Sequence, residues 1–327
     1  MLDVTRLRVL VAVERYGSVT AAARALNYAQ PSVSHHLARL EAETGIKLIQ
    51  RAGRGIALTD AGRLLAERAA EVIGRLDAAE NELAAYTSQR AGRLRLASFG
   101  SALGTIVPAA AAMLRGHQSS VDLRLAEAEP PEALRMLRAG HVDVAVIFRY
   151  VPDGPGPTGP GQFAADLPGP LAADDEDDDG DGIDVSNGLR ERLVLDEPVH
   201  LVVSAHAADP PEPDLSRYAR HRWIAGCDRC RAPLLRQCAL AGFVPKIAFT
   251  TDDYVAVQAL VAADLGVSTL PALCLRAVQH PGATTVPLAG VRRHVFAVRY
   301  GDPPDPAAVT ALIDALRAAA EPPGSPD

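Results

Sequence analysis

An acidic run in the middle of this 327-residue sequence has the residue types that bind a metal ion. The stretch "DDEDDDGDGID" spans Asp174–Asp184 and carries eight acidic groups. The calcium-loop pattern D-x-D-x-D-G occurs in it twice, beginning at Asp175 and at Asp177. The twelfth position is then Ser186 or Gly188, so the glutamate that would bind calcium with both oxygens is missing. We therefore interpret the run as part of a disordered insertion.

The four cysteines could bind zinc or exchange electrons. Cys227 and Cys230 form a C-x-x-C motif, and Cys238 and Cys274 follow it without forming a second pair. Structural zinc sites usually draw four ligands from paired clusters, so this spacing disfavours zinc. Arg229 lies within the motif and Arg231 follows it, and these bases could lower a thiol pKa. Packing in a core or pocket wall and redox activity both stay open, with metal binding the least favoured.

Motifs of the common enzyme classes are missing from the sequence. The stretch "GPGPTG" at Gly154–Gly159 fits the dinucleotide pattern G-x-G-x-x-G, but Pro155, Pro157 and Pro160 would prevent a turn into a helix. No P-loop, no H-E-x-x-H and no G-x-S-x-G is present. The sequence therefore predicts a protein that is not an enzyme and needs no cofactor and no metal.

Charge is distributed unevenly along the chain, whose formal net charge is -7. Residues 1–63 carry nine Lys or Arg and five acids, whereas residues 151–188 carry ten acids and no base. The acidic average therefore hides a basic N-terminal region that suits a nucleic acid. We find no secretory signal and no apolar run long enough to span a membrane, and cysteines are few, so a cytoplasmic protein without a membrane partner is expected.

The basic region has the pattern of a helix-turn-helix domain. Gly17 ends a first helix, Ser18 caps a second, and a third begins near Pro31 and ends at Gly45. The third helix buries a stripe of Val33, Leu37 and Leu40. Its other face carries small polar and basic side chains that suit a major groove, namely Gln30, Ser32, Ser34, His35 and Arg39.

A short hairpin, "IKLIQRAGRGIALT", follows the third helix and predicts a wing. Arg51 and Arg54 lie at its tip, where arginine suits a narrow, negative minor groove. An ordinary three-helix bundle with solvated charges is the alternative interpretation of the whole region.

This region closely resembles the LysR-type transcriptional regulators. The residues that carry the resemblance are Ala22–Ala23, Leu26, Gln30–Ser32, Ser34, Leu40–Glu41, Gly45, Leu48, Arg51 and Leu58–Gly62. The resemblance implies that Gln30, Pro31, Ser34 and His35 meet double-stranded DNA, together with an arginine in the wing. The family often has arginine at the position of His35, which leaves the base preference open.

A long helix is predicted from Thr59 onward, because the next thirty or so residues contain no proline. Its apolar residues alternate at spacings of four and three, as in a coiled-coil seam. This seam comprises Leu65, Ala69, Val72, Leu76, Ala79, Leu83 and Tyr86, and the dimerisation residues are predicted to be Leu65, Val72, Leu76 and Leu83. Packing on its own domain is the alternative. The resemblance implies a dimerising linker helix, hence a homodimer or homotetramer, with RNA polymerase as a candidate partner.

From Arg93 onward strands alternate with helices, which predicts parallel sheets covered by helices. Two such sets with crossovers are typical of periplasmic-type binding domains, and "TTDDYVAVQALVAADLGVSTLP" extends the family resemblance to this region. A small-molecule effector is expected in the cleft at the carboxyl ends of the strands. The candidate lining residues are Ser101, Pro130, Phe148, Cys227 and Ser268.

Two of these candidates bear on the effector's chemistry. The hydroxyl and helix-start N–H groups at Ser101 would suit an anion. Pro130 stands where the better-known aromatic-acid sensors of the family have a hydroxyl, so that ligand class is not supported.

The predicted fold class is therefore an all-α winged helix-turn-helix domain and a long linker helix, followed by an α/β effector domain of two Rossmann-like lobes. The predicted bounds are 1–58 for the first domain, 59–90 for the linker and 91–327 for the effector domain, with lobe I at about 91–150 and 272–320, lobe II at about 190–271 and the disordered insertion at 151–188. The predicted function is a DNA-binding regulator switched by a small molecule. A small-molecule-binding or enzymatic α/β protein with an accessory helical dimerisation domain is the rival.

Overall fold

The computed structural model describes residues 2–52, 55–87, 93–117, 121–152, 188–207, 211–301 and 303–321. Arg54 and residues 153–187, with the acidic run and the stretch Gly154–Gly159, lie outside the described residues. The side chain of Leu83 is not described either. Two compact units divide the chain, one of residues 1–97, 120–124 and 134–144 and the other of residues 98–119, 125–133 and 145–327. The domain bounds inferred from the sequence remain a prediction.

Three short helices begin the chain, as the sequence predicts. They are α1 (Val4–Tyr16), α2 (Val19–Ala25) and α3 (Gln30–Thr44). The Ser18 side chain accepts a hydrogen bond from the backbone N–H of Ala21 and so caps α2. Gly17 and Gly45 end α1 and α3 with φ of 68° and 69°, a left-handed conformation that glycine adopts without strain.

A two-stranded wing and a long helix follow. The wing consists of β1 (Ile49–Ala52) and β2 (Gly55–Leu58), and the long helix is α4 (Asp60–Thr87). The Thr59 hydroxyl donates to the carbonyl of Lys47 at 2.8 Å and accepts from the N–H of Gly62 at 3.0 Å, so one side chain caps α4 and fixes it to the wing. A Cβ on Gly62 would lie 2.1 Å from the carbonyl oxygen of Leu48, which explains why glycine is needed there.

The N-terminal helices enclose one hydrophobic core. Leu10, Leu37, Leu40 and Leu48 are almost fully buried in it. The first turns of α4 close the core with Ala66 and Ala69, so the long helix is part of this core as well as a linker.

The carboxylate of Glu41 fixes the angle between α3 and the wing. It accepts the backbone N–H groups of Leu48 at 2.9 Å and Ile49 at 3.2 Å, and it pairs with Lys47 at 2.7 Å. Burial raises the pKa of Glu41, but these hydrogen bonds outweigh burial, and the pKa is lowered from its ordinary value. The Glu41 side chain is only 11% exposed.

We expect Glu41→Ala to loosen the wing. It leaves two backbone donors without their partner, which costs about 1–3 kcal/mol. Hydrogen exchange of the full chain should show faster exchange at the Leu48 and Ile49 amides at neutral pH. The difference from wild type should shrink as the pH falls below 4.5 and then through the lowered pKa of Glu41. The protonated carboxyl loses its charge and its pairing with Lys47, and it accepts the two N–H groups more weakly.

The control is Asp60→Ala, because the Asp60 side chain is 97% exposed. It should leave the exchange of both amides unchanged. Equal exchange in wild type and Glu41→Ala would contradict the assigned role.

Strands and helices alternate from Arg93 onward. The strands are β3 (Arg93–Ser98), β4 (Asp122–Glu127), β5 (Val144–Val151), β6 (Leu189–Ser204), β7 (Arg222–Ala225), β8 (Lys246–Thr250), β9 (Val267–Pro271) and β10 (Ala283–Tyr300). The helices are α5 (Gly100–Leu103), α6 (Ile106–His117), α7 (Pro130–Arg138), α8 (Asp228–Leu240), α9 (Tyr254–Ala262), α10 (Ala272–Ala277) and α11 (Ala307–Ala320). A 3-10 helix spans Leu215–Tyr218.

Among the described residues these strands form an eight-stranded sheet in the order β4-β3-β5-β10-β6-β9-β7-β8. β7 is parallel to β8 and β9, but β10 is antiparallel to β5 and β6, and β6 is antiparallel to β9. The prediction of parallel sheets was therefore wrong for the centre. The two long strands, β6 with 16 residues and β10 with 18, are the crossover strands. β6 leads the chain from the half of the sheet with β3, β4 and β5 to the half with β7, β8 and β9, and β10 leads it back. They therefore run in opposite directions and pair antiparallel.

Helices cover both faces of the sheet beside β6. Val199, Leu201 and Val203 pack into one core with Trp223 of β7, whereas Val202 packs into another core with helix α9. A strand buried on both faces has apolar residues at consecutive positions. The consecutive buried residues Leu201, Val202 and Val203 of β6 follow from this arrangement.

Candidate functional site

Helix α3 presents an exposed face that is rich in polar and basic side chains. Val33, Leu37 and Leu40 are buried, as the predicted stripe requires. All six predicted contacts on α3 are exposed, namely Gln30, Pro31, Ser32, Ser34, His35 and Arg39. A helix held by its apolar stripe with short polar side chains outward has the shape required to enter a major groove.

The start of α3 is open to a ligand. Its N-cap residue, Ala29, makes no side-chain capping hydrogen bond, and Pro31 occupies the first turn. Tyr28 stacks on His36 with ring centroids 5.9 Å apart, and His36 meets His35 edge-on at 6.2 Å. Pro31 has no N–H, and the N–H of Ser32 is donated to the Ala29 carbonyl at 3.0 Å. The N–H of Gln30 is therefore the first-turn donor that can bind a phosphate oxygen, which would place the helix on a nucleic-acid backbone.

The wing adds a cation beside this face. Arg51 is exposed on β1, opposite Ile56 of β2. Arg54, the second predicted arginine of the wing, lies outside the described residues.

The predicted dimerisation seam divides into two parts. Leu65 packs against the N-terminal core and Ala69 lies in it, as the alternative interpretation anticipated. Val72 and Leu76 are 47% and 41% exposed. The apolar surface that a partner helix could cover therefore begins near Val72.

A buried ion pair lies at the centre of the α/β region. Arg293 of β10 and Glu197 of β6 are opposite each other in the register of the two strands, and the Arg293 Nε donates to the Glu197 carboxylate at 2.6 Å. Their side chains are only 3% and 2% exposed. Burial would lower the pKa of Arg293, but the attraction of Glu197 outweighs burial, and the pKa is raised above its ordinary value.

Each residue of the pair also makes a hydrogen bond to the first turn of a helix, α5 or α10. The Arg293 Nη2 donates to the Ser101 hydroxyl of α5 at 3.1 Å. The second carboxylate oxygen of Glu197 accepts the N–H of Leu273 in α10 at 2.6 Å. The guanidinium also lies 5.0 Å from the rings of both Phe99 and Phe148, which adds cation–π attraction. One ion pair thus joins two strands, two helices and two aromatic rings.

The predicted effector residues do not all lie at one place in the structure. Ser101 and Phe148 both contact Arg293. Ser101 is buried, its hydroxyl accepts a hydrogen bond from Arg293, and α5 has only four residues, so an anion site at this helix start remains a prediction. Ser268 lies inside β9 and donates to the carbonyl of Ile224 at 2.7 Å, which makes it part of the sheet.

Pro130 begins α7 and is buried, directly after Glu129. Burial raises the pKa of the Glu129 carboxyl, and the nearby negative charge of Asp252 raises it further, while Arg293 lowers it. This carboxyl lies within electrostatic reach of the buried ion pair.

Cys227 and Cys230 are both half-buried at the start of α8, with Cys227 as the N-cap residue. Their sulfur atoms are 3.4 Å apart. The hydroxyl of Tyr150, at the end of β5, donates to the Cys230 sulfur at 3.5 Å. A small pocket beside them is lined by Tyr150, Cys230, Pro233, Leu234, Thr269 and Val291.

The sequence prediction missed Arg293, Glu197, Glu129 and Tyr150. A signal for the ion pair exists, because Arg293 lies between the buried residues Val291 and Val295 at strand spacing. Glu197 likewise precedes Val199 at the same spacing. A charged residue in a buried strand position requires a partner, and two such positions in two strands predict each other.

Among the described residues, no group of three or more His, Cys, Asp or Glu side chains is arranged to hold a metal ion. Within the same part of the chain, no helix has the length and apolar character needed to cross a membrane.

A helix-turn-helix with a wing, a long helix and an α/β domain together define the class of winged helix-turn-helix regulators. The family model "Bacterial regulatory helix-turn-helix protein, lysR family" matches residues 4–63. The model "LysR substrate binding domain" matches residues 87–157 and 180–321. The chain therefore belongs to the LysR family, a family of transcriptional regulators rather than of enzymes, as its sequence predicts.

Curated relatives agree with this assignment. The chain is 32% identical to a "Probable cat1 operon transcriptional activator" of Acinetobacter lwoffii over 143 residues, which are 44% of this chain and 47% of that protein. It is 28% identical to "Uncharacterized HTH-type transcriptional regulator YcgK" of Bacillus subtilis (strain 168) over 281 residues, 84% of this chain and 82% of that protein. In the match to the Acinetobacter lwoffii protein and in two similar matches, the chain spans about half the length of the curated relative.

Solved structures share the fold. "CbnR, a LysR family transcriptional regulator" has a TM-score of 0.63 at 19% identity, with 98% of this chain and 100% of that chain covered. Full-length CbnR "complexed with the target DNA complex" has a TM-score of 0.61 at 18% identity, with 97% and 100% covered. The predicted fold class is thus confirmed, with α4 as the linker helix.

We expect Glu197→Ala to destabilise the full chain strongly. It leaves the Arg293 guanidinium buried without its counter-charge, which costs about 3–5 kcal/mol. Chemical denaturation followed by circular dichroism measures the change in free energy of unfolding.

The control is Asp122→Ala, which removes the partner of Arg124 in a pair whose side chains are 65% and 53% exposed. It should cost less than about 1 kcal/mol. Similar losses in the two variants would show that the buried pair has no special structural role.

Proposed function

We propose that this chain is a transcriptional regulator that binds double-stranded DNA through α3 and the wing and responds to a small-molecule effector. The exposed polar face of α3, held by a buried apolar stripe, carries the proposal. Gln30, Ser34 and His35 read base edges, because their side chains are outward near the start of the helix. Arg39, Arg51 and Arg54 contact the phosphate backbone or the minor groove.

The proposed active species is a homodimer or homotetramer. Val72 and Leu76 are exposed on α4, and Leu83 follows at the heptad spacing. A two-fold dimer presents two copies of α3 to two half-sites of an inverted repeat. RNA polymerase is a further candidate partner, and the cytoplasm is the proposed location.

The proposed effector site surrounds the buried ion pair in an effector domain that we propose to span 91–327, after a winged domain at 1–58 and a linker at 59–90. Its walls combine the predicted residues Phe148, Pro130 and Cys227 with Glu129 and Tyr150. Ser101 serves the site by holding Arg293 in place rather than by meeting the ligand. An effector that favours one arrangement of the two lobes shifts the population of DNA-binding conformations.

Gel shifts with the DNA that flanks the chain's own gene test this function. Ser34→Ala and His35→Ala should relax the preference for that DNA over a shuffled duplex, since these side chains read bases. Arg51→Ala should weaken binding to both duplexes and reduce the salt dependence by about one counterion, since Arg51 meets phosphate.

Arg124→Ala is the control, because it removes an exposed arginine outside the winged domain. Its binding should equal that of wild type. Identical effects of all four substitutions, or no preference of wild type for the flanking DNA, would contradict the proposal and favour the rival α/β binding protein.

A further inference from the structure

Two free thiols lie close together at the start of α8. Cys227 and Cys230 lie one helical turn apart with their sulfur atoms at 3.4 Å. A disulfide bond measures about 2.05 Å, so a movement of little more than about 1 Å would close it. A Cβ on Gly226 would lie 2.8 Å from the Cβ of Cys230, which shows that glycine at this position lets Cys230 approach.

The two thiols are chemically unequal. The hydrogen bond with Cys230 lowers the pKa of Cys227, although burial opposes this. The same hydrogen bond and burial raise the pKa of Cys230 well above its ordinary value. Burial also raises the pKa of Cys238, to about 12, and that of Cys274. Cys227 is thus the one cysteine of the four whose thiolate is favoured.

We propose that Cys227 and Cys230 form a reversible dithiol–disulfide pair that exchanges with small-molecule disulfides, Cys227 attacking and Cys230 resolving. The Cys227 thiolate attacks one sulfur of the small disulfide, forms a mixed disulfide and releases one small thiolate. Cys230 then loses its proton and attacks the Cys227 sulfur, so the protein disulfide forms and the second small thiolate leaves. The protein loses two electrons, and the small disulfide gains them.

Oxidation would also alter the pocket beside the pair. The Cys230 sulfur accepts the Tyr150 hydroxyl, and both residues line that pocket. A sulfur drawn toward Cys227 weakens this contact. This consequence for effector binding rests on the proposed function, whereas the thiol chemistry does not.

Thiol exchange on the full chain tests the pair without any DNA. The reduced protein is incubated with oxidised glutathione, quenched with acid, alkylated and mapped by mass spectrometry. Wild type should form a Cys227–Cys230 link that dithiothreitol reverses. Cys230→Ser should accumulate glutathione on Cys227, and Cys227→Ser should react at least about tenfold more slowly at the remaining cysteines.

Cys238→Ala is the matched control, because Cys238 is fully buried, and it should form the link as wild type does. A wild-type protein whose cysteines all remain alkylatable would overturn the proposal, as would glutathione that accumulates on Cys230 in Cys227→Ser. If a serine variant does not fold, the wild-type time course decides, since the Cys227 adduct must precede the link. Gel shifts report on the proposed function separately, so failure of one is distinguishable from failure of the other.

Discussion

The α/β region depends on one buried interaction, the ion pair between Arg293 and Glu197. Removing two charges from water is costly, and direct pairing alone rarely offsets it. Here further hydrogen bonds join Arg293 to Ser101 and Glu197 to the backbone of Leu273, so the pair fixes the crossover strands and the helix starts together. Of the groups proposed to line the effector site, Phe148 contacts the Arg293 guanidinium, and burial raises the pKa of both Glu129 and Tyr150 while the charge of Arg293 acts to lower it. A ligand that perturbs the pair would act on both crossover strands.

In the N-terminal region, too, single polar side chains join separate elements by hydrogen bonds. The Glu41 carboxylate satisfies two backbone donors and one lysine, and so it sets the wing against α3. The Thr59 hydroxyl sets α4 against the wing. Neither contact involves a side chain of α3 that is proposed to meet DNA. Structural polar groups are thus buried and bonded, whereas the groups proposed to meet DNA are exposed.

The sequence predicts local features well and long-range partners poorly. Capping residues such as Ser18 and Gly45, and the stripe of Val33, Leu37 and Leu40, depend on neighbours within one turn or one helix, and the structure confirms them. The antiparallel centre of the sheet depends on pairing between residues about a hundred positions apart, which periodicity does not report. Ser101 shows the same difficulty, because its hydroxyl is occupied by Arg293, which is 192 positions away. The strand positions of Arg293 and Glu197 were readable as charges in apolar faces, but only their joint occurrence identifies them as partners.

Hydrogen exchange of the full chain, with and without the DNA that flanks its own gene, tests the central claim most directly. Amide protection on DNA binding should concentrate in the first turns of α3 and in the β1–β2 wing, and it should weaken with added salt. A shuffled duplex should give less protection in α3. Protection confined to the α/β region, or no protection of α3 and the wing at any salt concentration, would contradict the proposal that this chain reads DNA through α3.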